Sequence, residues 1–376
     1  METNEVGGVP TIIQEELSVQ IPNEDVQSVV KLNNDQMSAY NIIMNAIHQK
    51  QCQIFFVDGP GGTGKTFLYR TIMANLRRNN EIVLATASSG IAATLLLGGR
   101  TAHSRFGIPI DIEPHSICKI ANIYDLDKLI RITSAIIWDE APMINKYCVE
   151  ALDRSLQDIM NNNAPFGGKI MIMGGDFRQV LPVIEKGNRG QMISACIIRS
   201  RLWATAKVLH LRQNMRSIHD HDFAQFLMRI GDGNEPTKED DMVRMPAEIV
   251  IPWEGESSIQ KLIQHTFPQL ENHGWDASYM VERVILTPKN CDVHMLNDMI
   301  IDKFPGDENI LLSFDEVEGD THNLYQQEYL HTIAPRALPP HILKIKIGAP
   351  LMLLRNIDPK FGLLMRPQVH GNIELI

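Results

Sequence analysis

One segment combines glycines with a lysine and a threonine at a spacing that suits phosphate binding. It runs from Gly59 to Thr66 and fits the pattern G-x-x-x-x-G-K-[ST]. Glycines let backbone N–H groups turn inward around a phosphate, and the N-terminus of the following helix directs its positive end at the same anion. We predict that ATP and Mg²⁺ bind here through Gly59, Gly61, Gly62, Thr63, Gly64, Lys65 and Thr66.

Within this loop, Lys65 and Thr66 have separate predicted roles. Lys65 neutralises the β- and γ-phosphate oxygens, and Thr66 ligates Mg²⁺. An apolar stretch precedes the loop and a helical pattern follows it, which is the context that this chemistry needs. The alternative is a glycine-rich turn with a structural role only.

A second candidate group is the acidic pair Asp139–Glu140, which follows the apolar run Ala135–Trp138. Asp139 is predicted to hold Mg²⁺ and Glu140 to act as a general base on the attacking water. An isolated pair of this kind is more often a helix cap. Because it follows a phosphate loop about 75 residues upstream, we favour the catalytic interpretation.

Strands must carry these residues to one place. Strand patterns at 53–59, 81–87, 133–140, 169–176 and 206–214 alternate with helical patterns at 65–78, 89–97 and 146–160, and a capped helix begins near 34. This alternation predicts an α/β fold with a parallel sheet and helices on both faces. With the phosphate loop after its first strand, the pattern resembles the P-loop NTPase (RecA-like) arrangement.

The chain divides into four predicted segments. Residues 1–31 are an acidic, poorly ordered leader, 32–230 a first α/β domain, 231–282 a linker and 283–376 part of a second α/β domain. In that last segment, a strand is expected at 283–290, a helix at 291–304 and a late strand at 346–356.

Composition excludes several classes of protein. Hydrophobic residues make up 44% and charged residues 21%, which is typical of a folded globular chain rather than a collagen-like or disordered one. There is no apolar run long enough for a membrane span and no secretory signal, so no membrane partner is expected. Five scattered cysteines without a Cys-x-x-Cys pair favour a reducing, intracellular compartment.

The charge distribution is uneven. The net charge is −10, which by itself disfavours nucleic acid as a partner. Residues 51–230, however, hold 21 basic and 15 acidic residues, between acidic ends. A basic middle of this kind is compatible with DNA binding.

A resemblance to a known family rests on four further blocks. Gly174–Pro182 ends an apolar strand in G-G-D-x-x-Q, and the other blocks are Leu32–Gln36, Ala87–Ala93 with Arg100–Ser104, and Leu211–Arg216. Together they resemble the petite integration frequency (PIF-type) ATP-dependent DNA helicases of superfamily one, particularly the plant and Helitron-transposon branch. The resemblance is densest over residues 32–220.

The resemblance implies roles for individual residues. Gln36 resembles a glutamine that contacts adenine, although a glutamine at a helix start is a common alternative. Gln179 resembles a sensor that links the γ-phosphate to DNA, and Arg216 resembles an arginine that contacts the γ-phosphate. Gln179 could instead be a polar side chain with satisfied hydrogen bonds, and Arg216 an ordinary solvated arginine near a strand end.

Contacts to single-stranded DNA are also implied. In the first domain they fall on Ser88, Thr101, His103, Ser104 and Phe106, where hydroxyls and an imidazole can bind phosphates and a phenyl ring can stack on a base. In the second domain the resemblance suggests Thr287 and Asn290. There the alternative is a capped helix after a strand.

The resemblance implies an ATP-dependent helicase that moves 5′ to 3′ on single-stranded DNA or junctions, in the nucleus or the mitochondrion. The family's final motifs, Gly-x-Asn-Gly-Thr-Arg and Lys-Ser-Gln-Gly-x-[ST] among them, do not occur before Ile376. We therefore expect slow ATP hydrolysis and no unwinding by the 376-residue chain. Two rival functions are a DNA-binding, ATP-binding fragment without motor activity and a P-loop switch ATPase.

Overall fold

A computed structural model of the protein describes residues 10–120, 124–217, 219–314, 340–352 and 367–368. The chain forms two units, residues 1–243 and residues 244–376. The boundary follows Val243, inside the segment 231–282 that the sequence analysis assigned to a linker. In the described ranges, no helix has the length and apolar character needed to cross a membrane.

The secondary structure of the described residues is as follows. The helices are α1 (Thr11–Leu17), α2 (Asn23–Val26), α3 (Asn34–His48), α4 (Lys65–Arg78), α5 (Gly90–Thr94), α6 (Ala102–Phe106), α7 (Tyr124–Ile132), α8 (Lys146–Met160), α9 (Arg189–Ala195), α10 (His221–Gly231), α11 (Ser257–Thr266), α12 (Leu270–His273), α13 (Ala277–Val281) and α14 (Asn290–Lys303). The strands are β1 (Ile54–Asp58), β2 (Ile82–Ala87), β3 (Arg100–Thr101), β4 (Thr133–Asp139), β5 (Ile170–Gly175), β6 (Ala206–His210), β7 (Glu308–Leu312), β8 (Ile342–Lys346), β9 (Leu351–Met352) and β10 (Pro367–Gln368).

Strands β1 to β6 form one parallel sheet in the order β3-β2-β4-β5-β1-β6. Successive strand residues face opposite sides, so that Phe55 and Val57 pack in one core while Ile54 and Phe56 pack in the other. Helices α3 and α4 cover the first face, and α7 and α8 cover the second. The predicted α/β parallel sheet with helices on both faces is confirmed.

The register of the sheet brings the carboxyl ends of its strands to one edge. Asp58 of β1 is paired with Gly175 of β5 and with His210 of β6, and Asp139 of β4 is paired with Ala87 of β2. In open parallel sheets, ligands bind outside this edge. The phosphate loop follows β1 and therefore lies at this edge.

The segment from 10 to 31 differs from the prediction of a poorly ordered leader. Helices α1 and α2 and a 3-10 turn at Ser28–Lys31 lie within it, and Ile13 is buried in the core of the second sheet face. The Ser28 hydroxyl lies 2.8 Å from that of Thr71 on α4. Residues 1–9 lie outside the described part.

The acids of this segment pair with arginines of the first unit. Glu16 is 4% exposed and contacts both Arg77, at 3.0 Å, and Arg105. Nearer the surface, Asp25 bonds to Arg70 at 2.7 Å. The sequence pattern suggested disorder because high acidity usually accompanies it. Here the carboxylates instead neutralise buried arginines, so that part of the basic excess of residues 51–230 is not available to a nucleic acid.

The second unit has a small core of its own, formed by Phe267, Leu270, Tyr279, Met280 and Phe304. Residues 257–281 supply helices to it, so part of the predicted linker 231–282 is folded. Strands β7 and β8 pair antiparallel. The predicted strand 283–290 is wrong, because residues 283–289 pair with no strand in the described part, and Val284 and Leu286 are exposed.

Candidate nucleotide site

The phosphate loop depends on two glycines with positive φ angles. Gly62 has φ +88° and Gly64 has φ +78°, a region that other residues rarely occupy. Neighbouring atoms also leave no room for a side chain, because a Cβ on Gly62 would lie 2.7 Å from Asn214 Oδ1 and one on Gly64 would overlap Gln36 Nε2. The sequence pattern and the loop conformation therefore agree.

Lys65 begins α4 and turns back over the loop. Its Nζ donates to the Gly59 carbonyl at 2.6 Å, and the residue is 8% exposed. Thr63 is also buried, with its hydroxyl donating to the Pro60 carbonyl at 2.8 Å. Thr66 follows Lys65 in the first turn of α4. The hydroxyl that we predict to ligate Mg²⁺ is therefore on the residue next to the lysine.

Gln36 lies beneath this loop and uses both ends of its side chain. Its Oε1 accepts from the Asn33 N–H at 3.0 Å, which completes a capping box at the start of α3. Its Nε2 donates to the Thr63 carbonyl at 3.0 Å. The helix-start interpretation is thus observed, together with a bond to the loop; contact with adenine stays a prediction.

Asp139 and Glu140 lie at the end of β4, as predicted. Asp139 is 3% exposed, and burial together with the charge of Glu140 raises the pKa of its carboxyl to about 6. Lys65 lies close enough to act in the opposite direction on that pKa. Glu140 has φ +53° and makes no capping bond with its side chain, so the helix-cap alternative is not observed.

Gln179 is held over the loop by Asp176. Asp176 is 4% exposed and accepts from Gln179 Nε2 at 3.2 Å. The same amide lies 3.5 Å from the position that a Cβ of Gly61 would occupy. Gln179 and the phosphate loop are therefore neighbours; the sensor role of Gln179 stays a prediction.

The segment after β6 closes over the loop from the other side. Met215 N–H donates to the Gly62 carbonyl at 2.8 Å, and Asn214 Nδ2 donates to the Gly61 carbonyl at 3.3 Å. Asn214 Oδ1 also accepts from the Arg216 N–H at 2.9 Å. The backbone of Arg216 therefore lies beside the phosphate loop. Asn214, which belongs to the Leu211–Arg216 block, positions it through this bond.

Sequence reasoning missed Tyr69. It lies on α4 one turn after Lys65, is 0% exposed, and its hydroxyl has no hydrogen-bond partner among the described residues. The hydroxyl lies against Gly174, where a Cβ would overlap it. On the next residue, a Cβ of Gly175 would overlap Pro142. The glycine pair of the G-G-D-x-x-Q block therefore makes room for neighbours on both sides.

These residues fit a nucleotide with Mg²⁺. Cβ atoms on Gly62 and Gly64 would fill the space at the loop, and the buried Lys65, the buried Asp139 carboxylate and a hydroxyl without a hydrogen-bond partner among the described residues lie near it. Thr66 and Asp139 would hold the metal. A nucleotide-bound Mg²⁺ takes most other ligands from phosphates and water.

Comparison with known proteins agrees with this geometry. A family model described as "PIF1-like helicase" matches residues 31–241, more than half of the chain. The chain belongs to the PIF1-like helicase family. A second model, "DNA helicase Pif1, 2B domain", matches residues 328–364, most of which lie outside the described part.

Individual relatives in this family have low sequence identity to this chain but align over most of its length. The ATP-dependent DNA helicase PIF1 of Danio rerio is 26% identical over 338 residues, which is 89% of this chain and 45% of the relative. The crystal structure of the Candida albicans Pif1 helicase has a TM-score of 0.57 and 23% identity, over 87% of this chain and 66% of that one. A Bacteroides Pif1 helicase in complex with ADP-AlF3 and ssDNA has a TM-score of 0.55 and 19% identity, over 86% and 66%. The chain thus spans less than half the length of the zebrafish relative.

Most of the predicted DNA contacts of this PIF1-like helicase lie near the surface. Thr101 caps α6 through its hydroxyl and bonds to the Ser104 hydroxyl at 3.1 Å. Ser104 is exposed and His103 half-buried, with burial lowering the pKa of the imidazole. Ser88 accepts from the indole N–H of Trp138 at 3.0 Å. These four positions stay predictions.

The three remaining predicted contacts differ from these four. Phe106 is 0% exposed in the core, with its ring 6.5 Å from that of Trp138, so stacking on a base is wrong for this residue. Burial of this ring in the apolar core that includes α7 and α8 is more favourable than its exposure to solvent. Thr287, in the second unit, donates to Asp292 at 3.2 Å. Asn290 begins α14, and its side chain lies outside the described part.

Proposed function

We propose that this chain is the nucleotide-hydrolysing part of an ATP-dependent DNA helicase. The observation that carries the proposal is the common position of four groups around the phosphate loop: Lys65, the pair Asp139–Glu140, Gln179 and the backbone of Arg216. Each comes from the carboxyl end of a different strand or from the loop itself. A nucleotide-driven motor needs this convergence, whereas a structural turn does not.

The residues have complementary tasks. ATP with Mg²⁺ supplies the phosphoryl group whose transfer to water releases free energy. Lys65, which donates to the Gly59 carbonyl, would donate to phosphate oxygens instead, and Asp139 and Thr66 would hold the metal. Glu140 accepts a proton from the attacking water. Gln179 and Arg216 face the terminal phosphate. Through these two residues, the neighbouring segments respond to whether that phosphate is bound.

DNA is the proposed track. The Bacteroides Pif1 with a similar fold was crystallised with ssDNA, and we extend this ligand class to our chain. Ser104 and His103 on α6, with Thr101 before it, offer a hydroxyl and imidazole surface for phosphates. We further propose 5′-to-3′ movement, membership in the plant and transposon branch, and work in DNA repair, recombination, telomere maintenance or transposition in the nucleus or mitochondrion. The sequence blocks around Gly174–Pro182 and Leu211–Arg216 support these finer proposals.

Nucleotide binding and hydrolysis by the purified chain test the proposal. We expect Mg-ATP binding that Lys65→Ala abolishes, and single-stranded DNA binding whose affinity changes with the bound nucleotide. Glu140→Gln should keep nucleotide binding while hydrolysis falls about 10²–10⁴-fold, because only the proton acceptor is removed. Glu113→Gln, an exposed acid outside the loop and the strand ends, is the matched control.

Two outcomes would contradict this function. If wild-type chain binds no Mg-nucleotide, the phosphate-loop assignment is wrong. If it binds and hydrolyses ATP, but single-stranded DNA neither binds nor changes the rate, a switch ATPase replaces the helicase.

A further inference from the structure

The hydroxyl of Tyr69 is a buried polar group without a partner in the described part of the chain. A hydroxyl in an apolar core costs free energy unless it is hydrogen-bonded, so buried tyrosine oxygens nearly always have an acceptor. Phenylalanine would fill the same space without that cost. The oxygen therefore calls for a functional explanation.

The position of the oxygen points to the nucleotide site. Tyr69 is four residues after Lys65 on α4, and residues at this spacing share one helix face. The oxygen lies against Gly174 in β5, next to β4, and this glycine leaves the room that it occupies. The absence of a side chain at Gly174 thus admits a phenol near the carboxyl edge of the sheet.

The acidic pair lies within electrostatic range of the phenol. After burial itself, the charges of Asp139 and Glu140 are the causes that raise the pKa of Tyr69 well above its ordinary value. A phenol with a raised pKa keeps its proton and is a hydrogen-bond donor at physiological pH. Carboxylates are the acceptors that form the strongest bonds with such a donor.

We propose that Tyr69 is a positioning residue for the Asp139–Glu140 pair. In the nucleotide-bound protein, its O–H donates a hydrogen bond to this carboxylate pair, directly or through one water, and holds Asp139 in the orientation that ligates Mg²⁺. This inference rests on the proposed nucleotide function. It adds to that function a residue that neither the phosphate-loop pattern nor the acidic-pair pattern contains.

Tyr69→Phe tests the inference, because it removes one oxygen and keeps the ring. The dissociation constant of ADP is measured with Mg²⁺ and with EDTA, and the ratio of the two values gives the contribution of the metal. We expect that Tyr69→Phe reduces this ratio about ten-fold, since a hydrogen bond to a charged group has this order of strength. Affinity in EDTA and the melting temperature without nucleotide should be unchanged, or the latter raised.

Tyr40→Phe is the matched control, since Tyr40 is a buried tyrosine in the same core cluster on α3. It should leave the ratio unchanged. The inference is overturned if Tyr69→Phe leaves the ratio at the wild-type value, or if it lowers the melting temperature without changing the ratio. The latter result would assign the hydroxyl to a structural acceptor such as the nearby Val57 carbonyl. Absence of ADP binding by wild-type protein would contradict the proposed function instead.

Discussion

The side-chain amide of Gln36 donates a hydrogen bond to the backbone carbonyl of Thr63, at 3.0 Å, and so connects the start of α3 to the phosphate loop. The same side chain closes a capping box with Asn33. A residue 27 positions earlier in the chain thus contacts the backbone of the predicted phosphate loop.

Replacing Gln36 with Glu should weaken Mg-ADP binding about ten-fold, because an unpaired buried carbonyl costs about 1–3 kcal/mol. A glutamate keeps the acceptor for Asn33 and loses the donor to Thr63. Gln191 makes the same capping box with Asn188 on α9, so Gln191→Glu is a matched control with no expected effect on the nucleotide. Titration calorimetry measures both. Equal affinity of Gln36→Glu and wild type would show that the loop does not need this bond.

Glu16→Gln should destabilise the first unit by about 3 kcal/mol or more, because it leaves two buried arginines without a full countercharge. Glu15 is the control, since it pairs with Arg100 at 3.3 Å with both side chains 47% exposed. Glu15→Gln should cost about 1 kcal/mol or less. Urea unfolding of the two variants measures the difference. Similar midpoints for both would mean that α1 is not held by its buried ion pairs.

Gly62→Ala should abolish nucleotide binding, whereas Gly61→Ala should be nearly neutral. At Gly62 the φ of +88° and the contacts with Asn214 and Arg216 both oppose a Cβ. At Gly61, the nearest atom to a Cβ would be Gln179 Nε2, at an ordinary 3.5 Å. A fluorescent ADP titration with a melting curve separates loss of the site from loss of the fold. Normal binding by Gly62→Ala would contradict the loop conformation described above.

Asp139→Asn should stabilise the metal-free protein at neutral and alkaline pH. The pKa of the Asp139 carboxyl is raised from 3.8 to about 6, so the folded state binds more protons than the unfolded state between these values. Stability therefore falls as pH rises through this interval, by up to about 3 kcal/mol above pH 6. Asparagine carries no charge and removes this penalty.

Unfolding in EDTA at pH 4 and pH 8 checks this prediction. Asp139→Asn and wild type should differ little at pH 4 and most at pH 8. Asp158→Asn, an exposed carboxylate on α8, should show no such divergence. A difference of the same size at both pH values would indicate a packing effect instead of the charge.

The local sequence predicted the central sheet and the chemical groups at its edge. Gly62, Lys65 and Asp139 could be placed in advance because their roles depend on nearest neighbours in the chain: a strand before, a helix after, and glycines where φ is positive. Parallel pairing then brings strand ends together by geometry alone.

The remaining features of the fold and the site depend on which distant residues share the interior. Only the tertiary structure therefore decided them. Phe106 had the type of a base-stacking residue, yet the core formed with α7 and α8 buries it. Glu16 lies in an acidic segment whose composition suggested disorder. It nevertheless pairs with Arg77 and Arg105, two distant residues that no local pattern reveals as partners. The environment of the Tyr69 hydroxyl forms only when β5 lies beside α4, because Gly174 of β5 leaves space for the oxygen. Sequence by itself determined which side chains could do chemistry with ATP; packing between distant segments decided which of them face the site and what holds them there.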